Sequence, residues 1–243
     1  MSEIRIGKRT IELSNEDKVF YPGADITKGV VVGYYRKVYE YMAPHLNGRP
    51  LTFERYPDGI EGKHFFQKNA SDYFPNWIPS VELEKEDGSV DYVVADDEAT
   101  LAYLADQAAL VFHIFLSKAD APHKPDRFIF DLDPSAEDFG KVRKAALILN
   151  EKIAELGMTP FAMTTGSRGL HVTTPIKPEH DFDDVRAFAG KIAEEAAKEY
   201  PDELTLEQRK ENRGNRIYLD IMRNAYGQTG VCPYTLRALP NAP

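Results

Sequence analysis

The sequence predicts a mixed α/β (α+β) fold with an RRM-like sheet in its second half. Three observations carry that expectation. Short apolar runs alternate at period two, amphipathic helical stretches separate them, and from residue 127 onward the order reads β-α-β-β-α-β. A chain of 243 residues is long enough to bury a sizeable core and sets a prior of one to two domains. We expect a single domain over 1–243. It would have an N-terminal α/β lobe over about 1–115, packed against the sheet-bearing lobe over about 116–243.

In order along the chain, Thr27 caps a helix with a Tyr-rich face that stops near Pro44. Residues 50–68 read as strand, turn, strand, with Pro57-Asp58-Gly59 as the turn. A short helix over 98–107 precedes the apolar strand Leu110–Phe115. Arg127–Leu132 alternates, with Phe128, Phe130 and Leu132 on one face. Ser135 then caps a helix carrying Val142, Ala145, Ala146, Leu149, Ile153 and Leu156, which Gly157 ends. Strands Thr159–Thr164 and Leu170–Pro175 follow. An amphipathic helix runs from about Asp183 to Lys198, and Arg216–Met222 alternates again.

Composition narrows the function classes. The net charge is −9, from 30 Lys+Arg against 39 Asp+Glu, which works against nonspecific binding to phosphate backbones. Residues 1–55 nevertheless carry nine Lys/Arg and seven Asp/Glu, so a local phosphate site remains open there. The longest near-apolar run, 108–116, is far short of the ~20 residues a membrane helix needs. The first ten residues lack the apolar stretch of a signal peptide, and a single cysteine, Cys232, excludes an internal disulfide. The expectation is a cytoplasmic protein, nucleoid-associated when on DNA, with no membrane partner.

Asp131-Leu132-Asp133 puts two carboxylates on one face of a strand end. Like charges so placed repel unless a cation lies between them, and hard oxygen donors suit Mg²⁺ or Mn²⁺. The alternative is an acidic pair that merely caps the next helix. Asp220 interrupts another alternating strand, so three acids on neighbouring strands make a candidate two-metal site. In Thr164-Thr165-Gly166-Ser167-Arg168-Gly169-Leu170-His171, hydroxyls, glycines and Arg168 offer donors to a phosphate. A plain Gly-rich hairpin is the competing reading. His171 and His113 are either phosphate donors or satisfied strand histidines.

The segments FDLDP (130–134), TTGSRGLHV (164–172) and YLDIMRNAYGQTGVCPYTLRALP (218–240) together resemble one family. It is the polymerase domain of bacterial and archaeal ligase D, within the archaeo-eukaryotic primase superfamily, which works in non-homologous end joining. LSNEDKVFYPGADITKG (13–29), NGRPLTFERYPDGIEGKHFFQKNA (47–70) and LVFHIFLSK (110–118) agree in order and spacing. The resemblance implies an archaeo-eukaryotic primase-like fold and a template-directed nucleotidyltransferase. It would add NTP or dNTP, ribonucleotides preferred, at DNA ends and gaps.

The same resemblance implies that Asp131, Asp133 and Asp220 bind two catalytic metals, Mn²⁺ or Mg²⁺. His113, Thr165, His171, Arg223 and Arg237 would contact the nucleotide, joined by Ser167 and Arg168 of the glycine hairpin. Thr165 stands where the family usually has Ser. Lys18 and Lys28 match lysines that hold the 5′-phosphate of a gapped duplex, and Phe65 with Lys68 matches the template contact. The 243 residues hold no ligase or phosphoesterase module, so a separate ligase and separate end-binding proteins are the expected partners. Three rival readings stay open: de novo priming, a two-metal phosphoesterase or nuclease, and a non-catalytic end-binding factor.

Overall fold

The computed structural model describes residues 2–85, 87–135 and 138–243. They divide into two units, one of residues up to Phe115 with Thr229–Pro243, the other Leu116–Gln228.

In the first unit, β1 (Ser2–Ile6) pairs antiparallel with β2 (Arg9–Leu13), and β3 (Val19–Tyr21) with β4 (Ile26–Thr27). Helix α1 (Lys28–Leu46) begins where Thr27, in extended backbone, accepts the Val30 N–H on its hydroxyl. Pro44 lies in its last turn rather than ending it, and the Asn47 N–H closes that turn on Ala43. The expected hairpin forms from β5 (Leu51–Arg55) and β6 (Phe65–Gln67). Its turn needs Gly59, whose φ is +76° and whose absent Cβ would lie 3.0 Å from the carbonyl oxygens of Val19 and Phe20.

Strands β7 (Ser80–Lys85) and β8 (Gly88–Val93) pair antiparallel. Helix α2 (Glu98–Asp106) follows, capped by the Asp97 carboxylate on the Thr100 N–H at 2.7 Å. Strand β9 (Ala109–Phe115) pairs antiparallel with β5. One sheet face packs on α1 through Phe53, Phe112 and the edge-on ring of Tyr35, all fully buried.

The second unit comprises β10 (Arg127–Pro134), α3 (Phe139–Glu155), β11 (Phe161–Thr164), β12 (Leu170–Pro175), α4 (Phe182–Glu199), β13 (Leu204–Thr205) and β14 (Ile217–Asp220). The sheet order is β11-β12-β10-β14-β13. Its first four members are the β-α-β-β-α-β arrangement read from the sequence, and the two-residue β13 adds an edge parallel to β14. Phe128, Phe130, Leu132, Leu170, Val172, Ile217 and Leu219 form one core with the apolar stripes of α3 and α4. Ser135, expected as the cap of α3, instead donates to the Arg216 carbonyl at 2.9 Å, and Asp138 caps the helix.

Beyond β14 the chain returns to the first unit. Strand β15 (Thr229–Val231) pairs antiparallel with β9, Thr229 opposite Phe115 and Val231 opposite His113, and the order becomes β15-β9-β5-β6. The expected second lobe over 116–243 therefore stops at Gln228, because the outer edge of β9 supplies the backbone partners that β15 needs.

Candidate active site

Alternation along β10 sends Phe130 and Leu132 into the helix-covered core and turns Asp131 and Asp133 to the other face. Asp131 lies opposite His171 of β12 on one side and opposite Asp220 of β14 on the other. Directly paired residues share a face, so Asp131, Asp133, Asp220 and His171 all project from the surface that the helices leave uncovered.

Their partners keep them apart. Asp131 Oδ1 lies 3.5 Å from His171 Nε2, and its Oδ2 lies 3.8 Å from Arg223 Nε. Asp133 Oδ2 is 3.8 Å from the Arg213 guanidinium, and Asp220 Oδ1 accepts the Met222 N–H at 2.7 Å. Among the described residues, no group of three His, Cys, Asp or Glu side chains is drawn together closely enough to hold an ion. The acids expected to form a metal cluster thus share a face without closing a cage.

The donor set still fits a hard divalent cation, since all three groups offer carboxylate oxygens. Electrostatics agree. Desolvation first, then repulsion from Asp131 and Asp220, holds the Asp133 carboxyl above its ordinary pKa, against the pull of Arg213 and Arg168. Arg213 is a residue that sequence reading missed. It is buried, donates to the Glu207 carbonyl at 2.9 Å and the Gln208 carbonyl at 2.7 Å, and lies over the Tyr218 ring at 4.1 Å. Nothing in its polar surroundings, Lys210 to Arg216, signalled that anchoring.

The glycine hairpin sits beside the acids. Thr165 donates its hydroxyl to the Gly169 carbonyl at 3.1 Å, so that proton closes the hairpin rather than reaching outward. Gly169 passes so near β10 that a Cβ would meet the Leu132 carbonyl oxygen at 2.6 Å. Ser167 and Arg168 are exposed at the tip. His171 is buried, and its Nδ1 has no hydrogen-bond partner. Arg223 is exposed on the loop after β14, which Asn224 pins to Ile129 of β10.

In the first unit, His113 of β9 donates from Nε2 to Glu54 Oε1 at 3.0 Å. Tyr56 donates to the other oxygen of Glu54 at 2.8 Å. Burial raises the Glu54 carboxyl, but the bonds from His113 and Tyr56, with the charges of His113 and Arg237, outweigh it and hold the group below its ordinary value. Glu54 thus binds one expected nucleotide contact, His113, and lies within the field of another, Arg237. An acid among the apolar residues of LTFER was the available signal, and it was passed over.

Phe65 is exposed, as a base-stacking residue must be, and the Arg55 guanidinium lies 5.5 Å from its ring centre. It pairs with Arg55, whereas Phe66 pairs with Glu54. Phe66 is therefore the aromatic on the His113 face, with ring centres 5.9 Å apart. Lys68 is exposed just past β6.

The two lysines differ sharply. The backbone folds back between them, with the Lys28 N–H donating to the Lys18 carbonyl at 2.8 Å. Lys18 extends outward to Asp58 at 2.6 Å. Lys28 instead turns inward, 5% exposed, to Asp106 at 2.7 Å and to both oxygens of Ser14. The N–H groups of Lys28, Gly29 and Val30 are already bound to Lys18, Glu16 and Thr27, so the start of α1 presents none of these three to a phosphate.

An acid-bearing sheet of this order, with a glycine hairpin beside the acids, agrees with the class that the comparisons give, a primase-polymerase domain, which is a nucleotidyltransferase. The family model described as "LigD, primase-polymerase domain" matches residues 27–243, and the chain belongs to that family. It is 33% identical over 229 residues to the Bacillus subtilis bifunctional non-homologous end joining protein LigD, covering 93% of this chain and 37% of that protein. It is 30% identical over 239 residues to the Mycobacterium tuberculosis H37Rv multifunctional non-homologous end joining DNA repair protein LigD, covering 95% and 32%. The chain thus spans about a third of the length of the curated relatives it matches. A solved polymerase domain of Mycobacterium tuberculosis ligase D, in complex with DNA, superposes with a TM-score of 0.89 at 29% identity, over 94% of this chain and 83% of that one. Among the described residues no helix is long and apolar enough to cross a membrane.

Proposed function

We propose that this chain adds nucleotides, ribonucleotides in preference, to DNA ends and gaps during non-homologous end joining. The observation that carries the reading is the cross-strand placement of Asp131 against Asp220, with Asp133 on the same face. Membership of the family, and the DNA bound to a similar solved domain, support the choice of polymerase over phosphoesterase.

Asp131, Asp133 and Asp220 would hold Mn²⁺ or Mg²⁺, which when bound lowers the pKa of the primer 3′-hydroxyl and neutralises charge on the triphosphate. Arg168, His171 and Arg223 are assigned to the triphosphate, as are His113 and Arg237. Ser167 is assigned there as a hydroxyl donor, and Thr165 shapes the hairpin that presents it. Lys18 is the group assigned to a 5′-phosphate, exchanging Asp58 for it, whereas Lys28 would have to leave Asp106. Phe65 and Lys68 are assigned to the template strand. Sealing the filled break calls for a ligase activity and end-binding proteins as partners.

Incorporation of labelled NTP and dNTP on a gapped duplex, with and without a 5′-phosphate, tests this reading. Extension should require NTP or dNTP and vanish in Asp131→Ala. Nucleotide release from DNA without added NTP would favour the phosphoesterase, and full extension by Asp131→Ala would remove the acids from the chemistry.

A further inference from the structure

A carboxylate is out of place among groups that bind a triphosphate, because it repels the ligand. Glu54 is such a carboxylate, hydrogen-bonded to His113. Its geometry explains its presence. Glu54 lies on the same face of β5 as Thr52, the register partner of His113, so it approaches the imidazole diagonally across the β5–β9 pair. One carboxylate oxygen is bound to His113 Nε2 at 3.0 Å and the other accepts the Tyr56 hydroxyl at 2.8 Å. Tyr56 is buried and stacked on His64 with ring centres 4.9 Å apart and planes 12° apart, so the carboxylate is itself held from behind. Phe66 flanks the imidazole 5.9 Å away.

We propose that Glu54 is a positioning residue for nucleotide binding: it accepts from Nε2 of His113 and so fixes the ring, and the imidazole, taking up a proton as the nucleoside triphosphate binds, donates from Nδ1 to one of its anionic oxygens. The proposal rests on the assignment of His113 to the triphosphate. Glu54 supplies orientation and, by its charge, the partner that the doubly protonated ring needs when Nδ1 donates to the ligand. The ring pays no ordering entropy on binding when it is already held.

Two substitutions weaken the hold on the ring in different ways. Glu54→Gln removes the charge and leaves one acceptor oxygen where His113 and Tyr56 need two, whereas Glu54→Asp keeps the charge and withdraws both acceptors by one methylene. Steady-state extension of a gapped duplex should give Glu54→Gln a KM for NTP raised at least as far as that of Glu54→Asp. Glu54→Asp should raise KM about tenfold, the scale of one charge-assisted hydrogen bond, with kcat within about twofold. Adding His113→Ala to Glu54→Asp should cost no more than His113→Ala alone.

An unchanged KM in either variant overturns the proposal, as do additive effects of Glu54→Asp and His113→Ala. An unchanged KM in His113→Ala shows instead that the triphosphate assignment of His113 has failed, and the proposal falls with it. Far-UV circular dichroism of each variant checks the fold, and the near-isosteric Glu54→Gln supplies a decisive arm if Glu54→Asp does not fold.

Discussion

The side-chain amide of Asn224 binds both backbone polar groups of Ile129, accepting its N–H at 2.8 Å and donating to its carbonyl at 2.7 Å. Strand β14 ends at Asp220, so the amide takes over the ladder where the next backbone pair would have been. It is fully buried, and its remaining N–H bonds the Ile221 carbonyl at 2.9 Å. Arg223 therefore stands on a loop that is fastened one residue beyond it.

Replacing Asn224 with Ala should leave the Ile129 groups buried and unpaired at a cost of about 1–3 kcal/mol. For a chain of this size the melting midpoint should fall by roughly 2–4 °C per kcal/mol. Calorimetry measures the midpoint, and a raised KM for NTP should accompany it. An unchanged midpoint would show that the amide is dispensable.

Asp133→Asn should have opposite effects on stability and on activity. The raised pKa of Asp133 means that its charge is disfavoured in the folded chain at neutral pH. Without added metal, the variant should melt above the unmodified protein, while nucleotide incorporation disappears. A lower metal-free midpoint, measured at the same pH and salt, would contradict this account of the acid cluster.

The two lysines should part company. Lys28→Ala strands Asp106 in the interior, a loss of about 3–5 kcal/mol that thermal unfolding will register. Lys18→Ala breaks an exposed pair worth about 0–1 kcal/mol and should barely move the midpoint. It should, however, reduce the preference for a 5′-phosphorylated gap by roughly ten- to a hundredfold, read by fluorescence anisotropy at one salt concentration. Equal affinity of the unmodified protein for phosphorylated and dephosphorylated gaps would remove Lys18 from end recognition.

Glu54 should also leave a mark on acid stability. Its folded-state pKa is depressed, so its stabilising contribution is complete above the ordinary glutamate value and is lost as pH falls through the depressed one. Denaturant midpoints recorded from pH 6 downward should fall less steeply for Glu54→Gln than for the unmodified chain. Parallel curves would mean that Glu54 titrates alike in both states.

Much of the second unit was legible in the sequence because local signals and tertiary packing agree there. Alternation in 127–132, helical spacing from Val142 to Ile153, and Gly157 all point to the elements that form. The acids of β10 and β14 were legible for the same reason, since a charge in an alternating strand marks the uncovered face. Side-chain partners were not. Lys28 and Lys18 look alike in a sequence, and only the tertiary neighbour Asp106 makes one of them an interior group. Glu54 and Arg213 depend on partners that periodicity does not encode. The end of the second unit was misplaced because a three-residue strand, Thr229–Val231, carries too little pattern to reveal that it belongs with β9.

That return of β15 to β9 leaves the sheet of the first unit incomplete until the end of synthesis. Residues 116–228 are contiguous and hold every strand of their own sheet, so all of those strands have left the ribosome before residue 229 does. The unit begun earlier must wait, because the outer edge of β9 has no partner until residues 229–231 emerge. During that interval ALVFHIF, an apolar strand, offers open backbone groups to any neighbouring nascent chain. A translation pause or chain break before Thr229 should therefore yield aggregates seeded at β9, with the inner unit already folded inside them.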